Sequence, residues 1–228
     1  MEKRQPSFII YAIREVLLVV VGILIAVSIN NWNEKRKQGR ELDNILMTIE
    51  DNLSSDIVKI DEILGHYEGR DSIFKNTLAG QYTVENYQAK PELGFLILGY
   101  PELSLNTRGF HLLEKFKGNI TNDKEKIVQE VVEFYNKQLL EIRVDDELRA
   151  YDFKDNFNYW KNNTTWWGDY IQFKITEDFI EYAVESPDYK TRVATAQFFA
   201  YKVYLPEIEK FKSLGQEIIK EIDALTEE

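Results

Sequence analysis

The chain has 228 residues, a net charge of −11, two histidines and no cysteine. Disulfides, thiol nucleophiles and thiolate metal sites are thereby excluded, and the acidic balance disfavours nucleic acid and anionic lipid as partners of the bulk surface. Lys3, Arg4 and Arg14 outnumber Glu2 and Glu15 by one within residues 1–32, so the remainder carries −12.

After a short tail at 1–7, residues 8–29 form an apolar run. A hydrocarbon core ~30 Å thick needs about 20 such residues in a helix. Tyr11 and Trp32 fall near the two expected interfaces, and Asn30, Asn31 and Asn33 make an abrupt polar border. The chain therefore reads as a transmembrane helix over 8–32 followed by one soluble helical domain over 33–228. A cleaved export signal is the competing reading, with Ala26, Val27 and Ser28 as the small-residue site. The basic cluster Lys35, Arg36 and Lys37, which follows at once, favours a span.

Glu15 lies inside the run, where a carboxylate is expensive and by default functional. Steps of three and four place Ala12, Glu15, Val19, Gly22, Ala26 and Ile29 on one stripe, with Gly22 and Ala26 in small-xxx-small spacing. Such a stripe allows close approach of a second helix, so the expectation is a homo-oligomer or docking to another membrane protein through Ala12, Glu15, Gly22 and Ala26. The bland alternative keeps Glu15 protonated or paired with Arg14.

Leu42, Ile45, Leu46, Ile49, Leu53, Ile57, Ile60, Leu64 and Tyr67 continue a helical stripe with no proline to stop it, and the acids, Asp56 among them, fall largely off it. Further turns over 71–78 precede Gly80. Residues 81–105 lose the pattern and read as a connector that tucks Phe95, Leu96, Ile97 and Leu98 into a core. A short helix then starts at Thr107 and bears Phe110, Leu113 and Phe116. Asn122 and Glu125 read as cap and capping-box partner of a long helix with Val128, Val131, Tyr135, Leu139 and Ile142 on one face. That helix continues past a bend at 145–147 through Tyr151, Phe157 and Trp160. Thr176 and Ser186, the latter followed by Pro187, open two more helices, and Pro206 kinks the last. The fold class is all-α: an N-terminal transmembrane helix continuing into an antiparallel helical bundle.

Tyr11 to Ala26 as a block, followed by Ile29, Asn30, Asn31, Trp32, Asn33 and Glu34, resembles the N-terminal signature of a bacterial domain-of-unknown-function family of single-span membrane proteins. A weaker likeness runs from Ser104 to Phe116. The resemblance implies a bacterial inner-membrane protein with an all-helical domain, and it supplies no activity. Members usually carry a small residue at the position of Arg14 and a longer basic tail, which would leave the domain in the periplasm. By count alone, Lys35, Arg36, Lys37 and Arg40 would instead place it in the cytoplasm.

No nucleophile elbow, P-loop, zinc-protease or dinucleotide pattern occurs, so no catalytic residue, metal ligand or cofactor is assigned. His66 sits between Glu62 and Arg70 in a ladder of polar neighbours, and His111 reads as a packing residue with a hydrogen bond. Tyr159, Trp160, Trp166, Trp167, Tyr170 and Phe173 form a dense cluster. It reads first as a core corner between helices. The sharper reading makes Trp160, Trp166, Trp167 and Tyr170 a ligand or partner surface, with one of the two adjacent tryptophans exposed. The expected function is a scaffold, adaptor or sensor rather than an enzyme, with the lipid bilayer and another membrane protein as partners. A carboxylate-based enzyme or a small-ligand-binding domain is the alternative.

Overall fold

The computed structural model describes residues 6–226, and the side chains of residues 11–225. Among these residues there is no strand. Helix α1, Pro6–Tyr67, is unbroken over 62 residues, about 93 Å at the ~1.5 Å rise of an α-helix. Its proline stands in the first turn, where no N–H is needed, and it ends where Gly69 takes a left-handed φ of 74°. One helix thus holds two chemistries. Residues 11–37 are all exposed, and from Leu42 onward the stripe Leu42, Leu46, Ile49, Leu53 and Ile60 is fully buried.

After α2, Arg70–Leu78, the expected connector contains α3, Val84–Ala89, and a 3-10 turn at Pro91–Phe95 before an extended stretch. The apolar plug is real: Leu93, Leu96 and Ile97 are buried, and Phe95 and Leu98 pack against them. This segment carries the chain back along α1, so that α4, Arg108–Lys115, lies on α1 in the opposite direction. A Cβ at Gly109 would sit 2.7 Å from Ile49 Cγ1 and 2.8 Å from its backbone nitrogen, so only glycine permits this crossing.

Helix α5, Asn122–Asn163, starts beside the lower part of α1, where Lys124 pairs with Asp43. Thr121 is the flanking residue, one earlier than expected, and it makes no side-chain cap. The helix passes 145–147 without interruption. Its upper half turns to the interior not with Tyr151, which is exposed, but with Arg149, Asn156 and Trp160. Short α6, Trp167–Tyr170, and α7, Glu177–Glu185, follow. Thr176 accepts from the Phe179 N–H, and Ser186 accepts from the Asp188 N–H to start α8, Pro187–Phe198.

Pro206 cannot donate to the carbonyl four residues back, and the strain is absorbed by a π turn at Phe199–Tyr204 that joins α8 to α9, Leu205–Thr226. Lys212 pairs with Asp61, Lys210 with Glu141, and Lys126 with Glu221, so α9 runs antiparallel to both α1 and α5. Two cores result. One joins α1, α4, α5 and α9 around Ile49, Leu53, Val131, Tyr135, Ile208 and Phe211. The other joins α2, α3 and α6–α8 to the end of α5, and Tyr201 packs against both.

Candidate functional site

A groove of about 840 Å³ lies between the extended segment 100–107 and the middle of α5. Tyr100, Leu103 and Leu105 form one wall, and Leu139, Ile142, Arg143 and Asp146 the other. The first wall is fastened to α1 by a buried carboxylate. Asp56 is wholly inaccessible, and its two oxygens accept from Lys59 Nζ and from the Asn106 backbone N–H, each at 2.8 Å. Lys59 also donates to the Ser104 carbonyl at 2.8 Å. One turn away, buried Asn52 accepts from the Gly109 N–H at 2.8 Å. A buried carboxylate survives because charge-assisted hydrogen bonds replace its water.

Tyr135 lines the groove and is fully buried, stacked on Phe110 with ring centroids 4.9 Å apart. Its hydroxyl has no hydrogen-bond partner. Burial, and then the charge of Asp56, push this phenol well above its ordinary range, so it is a neutral donor. An orphaned buried hydroxyl costs about 1–3 kcal/mol, which a ligand acceptor would recover.

Below the groove Arg149 is almost wholly buried. It donates to the Pro101 carbonyl at 3.0 Å and to Tyr67 Oη at 3.3 Å, and its guanidinium lies 3.6 Å from the Tyr204 ring centre and 4.4 Å from that of Tyr100. Its carboxylate partner is Asp146 at 3.2 Å, whose pKa burial raises to about 6 against the pull of Arg149. Asp152, one turn further along, is likewise raised to about 6 by burial, with Arg192 opposing.

The sequence-derived candidates lie elsewhere. Trp160, Trp166, Trp167 and Tyr170 are all buried, so the expectation that one of the adjacent tryptophans is exposed fails. Around single-turn α6, Trp166 meets the buried Phe179 ring at 5.0 Å, and Trp167 meets the partly exposed Phe157 ring at 4.6 Å. Tyr170 Oη donates to the Gly94 carbonyl and Trp160 Nε1 to Tyr182 Oη. The four residues sit in the corner of the second core, and the aromatics exposed beside them are Phe157, Tyr159 and Phe173, the last with φ 60°. Ala12, Glu15, Gly22 and Ala26 are exposed on α1, and no described residue comes within 4 Å of a Cβ at Gly22.

His66 meets Arg70 at 2.8 Å, and burial followed by that neighbouring charge lowers its pKa, keeping it neutral. His111 makes the expected hydrogen bond and meets the Phe110 ring at 5.8 Å, but it does so at the surface rather than in the core. It is exposed and pairs with Glu114 at 2.9 Å. Among the described residues no group of three or more His, Cys, Asp or Glu is placed to hold a metal.

Residues 15–89 match the model of a family of unknown function, DUF6090. The match starts at Glu15 and takes in most of α1 with all of α2 and α3. The match covers about a third of the chain and shows a likeness to a family of unknown function over that part, and the likeness at 104–116 lies outside the matched residues. No curated protein and no solved structure matches the chain.

Proposed function

We propose that this protein is a single-span, membrane-anchored scaffold or sensor, with a helical domain held rigidly on its transmembrane helix. The observation that carries this reading is the division of α1. Residues 11–37 are all exposed, while the same helix from Leu42 supplies the core. An exposed apolar surface of this length calls for a bilayer around it. Tyr11 and Trp32 stand roughly 32 Å apart along the axis at ~1.5 Å per residue, which suits that slab. With no linker between span and core, a rotation or shift of the span is passed directly into the bundle. The stripe of Ala12, Glu15, Gly22 and Ala26 would be where a second span applies it, as a homo-oligomer or another membrane protein.

Alkaline carbonate washing of membranes tests the anchor. The full chain should stay in the pellet; complete extraction would overturn the reading. The resemblance favours a bacterial inner membrane with the bundle in the periplasm, against the basic count at 35–40. Because the chain lacks cysteine, Lys154→Cys provides a single reporter. A periplasmic bundle labels with an impermeant maleimide in cells whose outer membrane is permeabilised. Labelling only after lysis would place the bundle in the cytoplasm.

A second reading, small-ligand binding by the domain, is favoured by the orphaned Tyr135 hydroxyl in the 100–107 groove.

A further inference from the structure

The −12 carried by residues 33–228 is not evenly spread. Just past Trp32 stand Lys35, Arg36, Lys37 and Arg40, and Lys115 and Lys117 come from the end of α4. That end is fixed to α1 at the level of residue 38. The Asn119 N–H donates to Gln38 Oε1 at 3.1 Å, and a Cβ at Gly118 would lie 3.1 Å from Gln38 Cβ. Of these six cations, Lys37, Arg40 and Lys115 face one groove, while Lys35 and Arg36 lie on other sides of the helix. The acids close by are Glu34 and Glu41, since Asp43 is taken by Lys124 and Glu114 by His111. Among the described residues no carboxylate pairs with Lys37, Arg40 or Lys115, and all three are exposed.

These three cations, with the single carboxylate of Glu41, line a groove of about 820 Å³ between α1 and α4, whose walls also include Ile45, Leu112 and Phe116. Lys37 stands about 8 Å and Arg40 about 12 Å beyond Trp32 along the helix, within about one Debye length of the expected headgroup plane. Cations at this depth attract anionic headgroups, and long side chains reach back toward them.

We propose that Lys37, Arg40 and Lys115 form a binding site for the headgroup phosphate of an anionic phospholipid in the leaflet beside the domain. The site rests on the reading of α1 as a membrane span. The span delivers the lipid to the groove, and the bound phosphate ties α4 and the base of α1 to the membrane surface. The partner is the lipid rather than free phosphate, because the groove opens next to the helix that enters the bilayer.

The test uses the full chain in vesicles of equimolar phosphatidylglycerol and phosphatidylcholine, with bromine on the acyl chains of one lipid or the other. Bromine quenches Trp32, which is exposed at the interface, and leaves the three buried tryptophans untouched. Brominated phosphatidylglycerol should quench more, corresponding to an enrichment of about fivefold around the helix. The combined variant Lys37→Gln, Arg40→Gln, Lys115→Gln should bring the two lipids to parity at unchanged helicity. Lys37→Arg with Lys115→Arg should keep the preference, and Lys154→Gln, far along α5, should not alter it. Parity in the unmodified chain overturns the lipid site and leaves the anchor standing, as does a preference that survives in the triple variant. Loss of the preference on adding soluble glycerol phosphate assigns the site to free phosphate and also overturns the proposal. Absence of quenching by either lipid overturns the anchor reading and the site with it.

Discussion

At the scale of single residues, Gly109 makes two contacts with α1. Gly109 lets α4 lie against the α1 backbone, and its N–H is taken up by Asn52. Gly109→Ala should destabilise the domain by about 2–3 kcal/mol, because the added methyl meets backbone and must force the helices apart. Chemical denaturation checks this, and an unchanged midpoint would contradict the close approach. Tyr135 presents the opposite case, a buried hydroxyl without a partner. Tyr135→Phe removes that defect and should raise the stability of the ligand-free chain by about 1 kcal/mol. Loss of stability would mean that the hydroxyl is satisfied.

Asp152 gives a pH signature. Its folded pKa of about 6 is above the ordinary carboxylate value, so the folded chain favours the protonated form. The resulting cost to stability is fully present above pH 6 and fades as pH falls through the folded value toward the unfolded one near 4. Asp152→Asn should therefore stabilise by about 1 kcal/mol at pH 7 and by almost nothing near pH 4. An equal gain at both pH values would contradict the cause.

At the scale of elements, the continuity of α1 is the decisive feature. Gly39 sits at the junction between the exposed and buried parts, with open space where a Cβ would go. If helix runs through this position, Gly39→Ala should stabilise by about 0.4–1 kcal/mol, and no gain in thermal midpoint would indicate a non-helical joint. Much of the element pattern was legible in the sequence, because its signals are local. The stripe from Leu42 to Tyr67, the caps at Thr176 and Ser186 and the disturbance before Pro206 all depend on neighbours within one turn. What the sequence leaves hidden depends on distant partners. Asp56 and Asn52 look like solvated residues beside an apolar stripe, yet their partners are backbone N–H groups at 106 and 109, some fifty residues on. The inward face of the upper half of α5 is hidden for the same reason: Arg149 and Asn156 face inward because Tyr67, Pro101 and Arg192 meet them there. The 100–107 groove exists only through these long-range ties, so no motif announced it.

At the scale of the molecule, one helix has two parts: an exposed apolar length whose continuation is the spine of an acidic bundle, with cations where the two parts meet. The proposed function requires that residues 11–32 lie in lipid and pass into the core without a break. Single cysteines introduced along residues 12–44 of this cysteine-free chain, spin-labelled in vesicles, measure that directly through their accessibility to oxygen and to a polar nickel complex. Oxygen access should peak near residues 20–23 and give way to the nickel complex beyond Asn33, with helical periodicity emerging at Leu42 as the core begins. High access to the nickel complex at every position from 12 to 30, or a stretch without helical periodicity between 38 and 44, would contradict the account.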